Sequence, residues 1–302
     1  MPAAASTDAP GGWTTTSTIP PIVTGWQSLA CPTATHCLGV AYAGTGVSVL
    51  EQSVDGGRSF TSTGFAGAAS MNKVACATAR FCVLAGSTGG PKLPAGSYVT
   101  HDGGAVWVPV ALPPASRLTA FDVSLGCSSS VCYLAPRGSP TPLLSLHATG
   151  GAWSPVALPS SPDAAGGIAA IGCGAGRCVA VGTDTSGSQG LLFESDGGAW
   201  TETVAPAGTS TTTASVFSVA CSAYACAAFG TDFGSINGLL LASTADGTWD
   251  ATPVSSQTVL ANSISCVPSG CLAVGGNWST GGLDAWSLSG VTPTWASVPT
   301  PT

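Results

Sequence analysis

Charge is the scarcest thing in this chain. Asp, Glu, Lys and Arg together make up 7% of its 302 residues, against about 25% in an average soluble domain. A chain this poor in Lys and Glu is a poor helix former. No window of ten residues carries a convincing 3.6-residue apolar period, so long helices are not expected. Only seven Lys and Arg are present, and they are scattered. Without a basic patch to neutralise phosphates, nucleic acid is excluded as a partner, and so is an anionic membrane surface. No apolar run approaches the ~18 residues of a membrane-crossing helix, so membrane insertion is not expected. The opening MPAAASTDAP has neither a basic stretch nor an apolar stretch of signal-peptide type. A glycine-rich phosphate loop leading into a helix is also missing, and no cofactor is expected.

What the chain does have is glycine, proline and paired cysteine. There are 41 Gly, 22 Pro and 12 Cys. Apolar residues come in runs of three to five between Gly, Ser and Thr clusters, which reads as many short strands. The cysteines form six close pairs: Cys31 with Cys37, Cys76 with Cys82, Cys127 with Cys132, Cys173 with Cys178, Cys221 with Cys226, and Cys266 with Cys271. Two of the pairs enclose five residues and four enclose four, and residues flanking so short a turn face each other across a hairpin, within reach of a disulfide. Zinc would need two pairs to converge, usually at shorter spacing and with histidine. Six copies at equal repeat positions do not converge, so six local disulfides and no metal are expected. Disulfides imply an oxidising compartment. The chain is therefore expected to be secreted or held at a cell surface, its leader lying outside this sequence.

The first cysteines of successive pairs stand 45, 51, 46, 48 and 45 residues apart. A period of 40–50 residues with four strands per unit is the signature of a β-propeller. The cleanest unit, Ser218 to Val254, reads SVACSAYACAAFGTDFGSINGLLLASTADGTWDATPV. Strand A ends at the first cysteine and strand B follows the second. Strand C leads into a turn, and strand D begins at an aromatic. That aromatic recurs 21–25 residues after the second cysteine, as Phe60, Trp107, Trp153, Trp200, Trp249 and Trp295. A ring at one fixed position in every unit fills the space between neighbouring blades. The expectation is one all-β domain over 1–302, a propeller of six four-stranded blades at about 20–66, 67–115, 116–161, 162–208, 209–255 and 256–302. The segment GGWTTTSTIPP with Trp13 resembles a strand D with no A, B or C before it. Residues 1–19 are read as a clasp strand closing the ring. Seven blades is the alternative.

The turns before strand D read SVDGGRSF, THDGGAVW, ESDGGAW and STADGTW. They resemble the Asp-box, or BNR repeat, of sialidase-like propellers. In such a turn Asp accepts backbone N–H groups and Gly supplies positive φ. The resemblance implies that Asp55, Asp102, Asp196 and Asp246 are turn formers rather than catalysts. The turns around Thr149 and Ser289 have lost the Asp. CPTATHCLGV and CATARFCVLAG depart from the sialidase pattern and resemble a Cys-paired repeat of secreted bacterial propellers. For a sialidase-like enzyme, the resemblance implies three arginines converging on a carboxylate, a Tyr–Glu pair and an Asp. Of the five arginines, Arg58 lies in a box, and Arg80 and Arg177 precede second cysteines. Only Arg117 and Arg137 remain for the face built by the B–C and D–A loops, so that triad cannot be assembled.

A generic glycosidase needs two carboxylates ~5–9.5 Å apart. The B–C loops offer Asp184 and Asp232, at matching repeat positions, where a structural role competes with catalysis. His36, His101 and His147 fall on the opposite face. Trp26, on the link entering blade one, Tyr42, in the first B–C loop, and Trp278, in the last B–C loop, lie outside the repeated aromatic position, near the junction of the last blade with the first. They either pack the closure seam or offer rings to a sugar face or a peptide side chain. Asn277 opens a glycosylation-type triplet with Trp278 and Ser279. The resulting candidate binding set is Trp26, Tyr42, Arg137, Asp184, Asp232, Asn277 and Trp278, with no catalytic set. The expected function is non-catalytic recognition of a glycan or an extracellular protein by a monomer. A sialidase-like hydrolase or lyase and a structural module of a longer surface protein are the alternatives.

Overall fold

A computed structural model describes residues 23–43, 48–63, 71–87, 95–113, 123–136, 143–159, 167–174, 176–183, 190–206, 214–223, 225–232, 237–243, 247–254, 258–267, 270–277, 283–289 and 294–298. All regular structure in it is β. Blade one is β1 (Val23–Ala30), β2 (Cys37–Ala43), β3 (Ser48–Ser53) and β4 (Thr61–Thr63); blade two is β5 (Met71–Cys76), β6 (Cys82–Ser87), β7 (Ala95–Thr100) and β8 (Val108–Val110). Blade three is β9 (Val123–Cys127), β10 (Val131–Pro136), β11 (Leu143–His147) and β12 (Ser154–Val156); blade four is β13 (Ile168–Cys173), β14 (Cys178–Thr183), β15 (Gly190–Ser195) and β16 (Thr201–Val204). Blade five is β17 (Ala214–Cys221), β18 (Cys226–Asp232), β19 (Asn237–Ser243) and β20 (Trp249–Pro253); blade six is β21 (Thr258–Val267), β22 (Gly270–Asn277), β23 (Leu283–Ser289) and β24 (Thr294–Val298). Each blade is an antiparallel meander in simple sequence order. Six blades, not seven, surround a common channel.

Burial along a blade follows from the ring. The second strand lies between neighbouring blades, so its middle is apolar. Val179, Ala180 and Val181 in β14 are all 0% exposed. The fourth strand lies outermost and is largely solvated: Thr61 and Ser62 of β4 are exposed. The core is accordingly a series of separate interfaces. Leu38, Val40 and Leu50 of blade one meet Met71, Val74 and Leu84 of blade two, and the same arrangement recurs between blades two and three, three and four, four and five, and five and six. The repeated aromatics Trp107, Trp153, Trp200, Trp249 and Trp295 each sit in the interface with the preceding blade. Phe60, Trp107, Trp153 and Trp200 stand just before their fourth strands, whereas Trp249 and Trp295 lie within theirs.

All six disulfides form, one in the A–B hairpin of every blade. In blades two to six the bridged cysteines are direct cross-strand partners. Short polar side chains shape these turns. Thr33 Oγ1 accepts the His36 N–H at 2.9 Å and Thr78 Oγ1 accepts the Phe81 N–H at 2.9 Å. Ser222 Oγ accepts the Ala225 N–H at 3.1 Å. Such side-chain-to-backbone bonds hold a turn that the ladder cannot satisfy. Six structural disulfides place the protein in an oxidising environment. Among the described residues no helix is long and apolar enough to cross a membrane.

Candidate functional site

The innermost strands β1, β5, β9, β13, β17 and β21 line a central channel of about 1140 Å³. Its polar wall is mostly hydroxyl and amide: Gln27, Ser28, Ser124, Ser218, Ser263 and Ser265, with Lys73 the one charged side chain among the lining residues. No carboxylate is among the described residues that line it. The A–B hairpins with their disulfides close one face of the ring. The B–C connections leave from the other, where β2, β14, β18 and β22 end at Ala43, Thr183, Asp232 and Asn277.

That arrangement sorts the seven candidate binding residues. Asp232 closes β18, paired with Ala214 and Asn237, and Asn277 closes β22, paired with Thr258. Both backbones therefore stand at the loop face. Arg137, Asp184 and Trp278 lie outside the described residues. Tyr42 is in β2 rather than the following loop, half-buried, and paired with Gly25 and Ser48. Trp26 is in β1 rather than the link before it. Its ring packs on its own sheet with the Cζ3 edge towards Gly39: a Cβ added at Gly39 would stand 2.2 Å from that atom, so only glycine admits the ring there. Its other neighbour is Phe60, edge-on at 4.8 Å between ring centres. Alternation along β2 puts Gly39 and Tyr42 on opposite faces, which separates Trp26 from Tyr42.

Four of the described carboxylates, Glu51, Asp55, Asp102 and Glu194, are engaged in structure. Ser53 and Ser59 hydroxyls donate to Asp55 at 2.8 and 2.5 Å, and the Ser59 N–H donates at 2.9 Å. Gly56 and Gly57, at φ 78° and 84°, let the chain fold back around that carboxylate. The bond from the Ser59 hydroxyl, then the Ser59 N–H and the Ser53 hydroxyl, hold the Asp55 carboxyl down to about 2. Asp102 repeats the pattern, accepting from the Thr100 hydroxyl at 2.7 Å and the Val106 N–H at 3.0 Å, and its carboxyl is likewise lowered. A lowered folded-state value adds stability that is complete above the free-Asp value of 3.8 and disappears as pH falls through about 2. The carboxyl carbon of Asp55, followed by NMR, should accordingly titrate near pH 2. A midpoint close to 3.8 would mean that the turn bonds are not made in solution.

Glu194 is held across a blade boundary. Arg177 Nη2 donates to its Oε2 at 2.6 Å, while the Trp249 indole N–H of blade five donates to Oε1. Arg177 Nη1 also reaches the buried Ser243 Oγ at 3.3 Å, which in turn accepts the Cys226 N–H at 2.8 Å. The sequence placed Arg177 on the A–B turn but gave no sign of these partners, which come from 17 to 66 residues away. Glu51 is the odd carboxylate. It is 0% exposed, stands opposite Gly39 in the β2–β3 ladder, and among the described residues accepts the Ser62 hydroxyl, at 2.5 Å on Oε1. Burial pushes its carboxyl up. Among the described residues no group of three or more His, Cys, Asp and Glu is placed to hold a metal ion.

No protein-family model matches the chain, and no curated protein sequence does. Its fold, by contrast, is widely shared. YCF48, solved bound to a D1 peptide, superposes with a TM-score of 0.59 at 14% identity, over 92% of this chain and 81% of that one. The GH74 xyloglucanase from Xanthomonas campestris gives 0.63 at 16% identity, over 91% of this chain and 47% of the enzyme. The fucose-specific lectin from Aleuria aurantia gives 0.53 at 14% identity, over 93% and 98%. At such identities the likeness establishes the β-propeller architecture. The three proteins themselves use it with a peptide, a polysaccharide-active enzyme and a fucose lectin.

Proposed function

We propose that this chain is a secreted or surface-held, monomeric binding propeller of the Asp-box type, without catalytic activity, that recognises a glycan or an extracellular protein at its B–C and D–A loop face. The observation that carries the reading is the channel itself, wide, hydroxyl-lined and free of carboxylates among its lining residues. A glycosidase needs two carboxylates flanking its bond, and Glu51, Asp55, Asp102 and Glu194 are each buried or tied into turns and ion pairs. Recognition needs only hydrogen-bonding groups and rings on a fixed frame. Tyr42, Arg137, Asp184, Asp232, Asn277 and Trp278 supply them at the loop face. Trp26, folded onto Gly39, acts as packing instead. The lectin and YCF48 folds support a binding use of this architecture, and the xyloglucanase supports the rival hydrolase.

The test is a glycan array probed with the oxidised protein and with Tyr42→Ala, Trp278→Ala and Trp26→Ala. Specific binding is expected to fall at least tenfold in the Trp278 variant, while Trp26→Ala lowers stability and leaves the binding pattern in place. Turnover of any bound glycan that stops in Asp184→Asn with Asp232→Asn would replace this reading with a hydrolase.

A further inference from the structure

Among the described residues six large apolar side chains are exposed, and five of them fall in one sector of one face. In an antiparallel meander the A–B and C–D turns share an end, here the disulfide face. Val267 follows Cys266 in blade six, and Leu29 stands two residues before Cys31 in blade one. Val54 is in the C–D turn of blade one, and Val106 and Val108 flank Trp107 in blade two. These five are 51–75% exposed. Val204, the sixth, ends β16 at the opposite face. Single exposed apolar residues need no explanation, but a sector of them marks an interaction surface.

The sector runs into a pocket. Between blades two and three, Val99, Val108, Val110 and Leu146 enclose about 390 Å³ against the C–D turn of blade three, with His101 the one polar side chain among the lining residues. That turn carries Thr149 where blades one and two have Asp55 and Asp102. In blade two the turn packs tightly: a Cβ added at Gly104 would stand 2.9 Å from Leu38. A Cβ on its counterpart Gly151 would meet nothing within 4 Å, and Gly151 lines the pocket. The volume lies at the small end of ligand pockets, about 300–1,000 Å³, and suits one bulky side chain.

The polar groups around the sector offer donors rather than acceptors. Asp55 and Asp102 accept from their own turns. Arg58 and Arg80 are exposed, two of the seven cations of the chain. Arg58 Nη1 donates to the Asp55 carbonyl at 3.0 Å, one residue from Val54. The Gly103 N–H donates to the Arg80 carbonyl at 3.0 Å, which sets Arg80 beside the turn that carries Val106. A guanidinium fork is matched by a carboxylate.

We propose that this sector is a docking surface for a segment of another extracellular protein. An aromatic or large aliphatic side chain of that segment enters the pocket between Val108 and Gly151, and neighbouring carboxylates meet Arg80 and Arg58. A buried bulky anchor supplies most of the affinity of such a contact, and the charges select the partner. The net charge of −7 disfavours an acidic segment elsewhere on the molecule, which confines it to this sector. The surface lies on the face opposite the B–C and D–A loops, so both faces can be occupied together.

Isothermal titration of the oxidised chain tests this with a synthetic peptide of alternating Asp and Trp, a counterpart with Lys for Asp, and another with Ala for Trp. The Asp–Trp peptide should bind at least tenfold more tightly than either counterpart. Val108→Asp and Arg80→Glu, both at exposed positions, should leave the fold intact by circular dichroism and each weaken that binding at least tenfold. Arg80→Glu should take up the Lys–Trp peptide instead. Trp278→Ala, the loop-face variant, should leave this binding as it is, so the result stands apart from that of the glycan array. No binding, equal binding of the three peptides, or binding indifferent to Val108→Asp overturns the proposal. Binding abolished by Trp278→Ala also overturns it. Two further outcomes overturn it by naming another occupant: a dimer in sedimentation that Val108→Asp dissociates, or flotation with phosphatidylcholine vesicles that Val108→Asp abolishes.

Discussion

Full reduction of the six disulfides is expected to lower the melting temperature by roughly 20 °C. Each bridge closes a loop of five or six residues, for which loop-closure entropy gives about 2 kcal/mol. Six of them amount to on the order of 10 kcal/mol, as large as the whole stability of an ordinary domain, about 5–15 kcal/mol. For a chain of this length each kcal/mol moves the transition by about 2 °C. The second cysteine of every pair is 0–5% exposed, so reductant enters only as the hairpins open and the loss develops slowly. Circular dichroism melts at graded dithiothreitol, with thiols counted at each step, give the comparison. A fully reduced chain that melts within a few degrees of the oxidised one would mean that interblade packing alone holds the ring. Replacing one pair, Cys221→Ser with Cys226→Ser, should cost only about 4 °C.

Trp249→Ala is expected to be the most damaging single substitution at a blade boundary, at about 4 kcal/mol. The ring is 8% exposed and sits among Val179, Val181 and Leu192 of blade four and Val219, Ala228 and Leu241 of its own blade. Its removal leaves a void in a rigid wedge between two sheets, which cannot collapse without tilting a blade. It also takes away the N–H that engages Glu194 Oε1. Trp249→Phe keeps most of the volume and loses the donor, and should cost about 1–2 kcal/mol, because Arg177 still engages the other oxygen. Val204→Ala, at a side chain 52% exposed, should stay within about 0.5 kcal/mol. Denaturant midpoints at a common slope rank the three. An equal loss for Phe and Ala would assign the effect to the hydrogen bond rather than to packing.

The candidate site was far less legible than the frame that carries it. Trp26 and Tyr42 are neighbours in the β1–β2 ladder, and a sequence reading gathers them on one face. Strand alternation sends them apart, and the absence of a side chain at Gly39 draws the Trp26 ring down onto its own sheet. Glu51 reads as an ordinary charge in a strand, yet it is fully covered. Nothing local marks it, because its cover comes from other strands. The same holds for Glu194, whose partners Arg177 and Trp249 are 17 and 55 residues away.

The sequence by itself determined what short-range geometry controls. A cysteine pair across a four- or five-residue turn has one mate within reach, so the disulfides followed from spacing. Strand order within a blade followed from the repeat, since hairpins connect nearest neighbours. The Asp-Gly turns needed only five or six consecutive residues to close. The tertiary structure decided what depends on neighbours across a blade boundary: which boundary shows no buried cluster among the described residues, which carboxylates are immobilised, and which rings face the channel. A propeller repeat writes the same pattern into every blade, so its sequence is silent on where the ring begins and ends. Only the assembled ring distinguishes Leu29 from the five buried residues at its own repeat position.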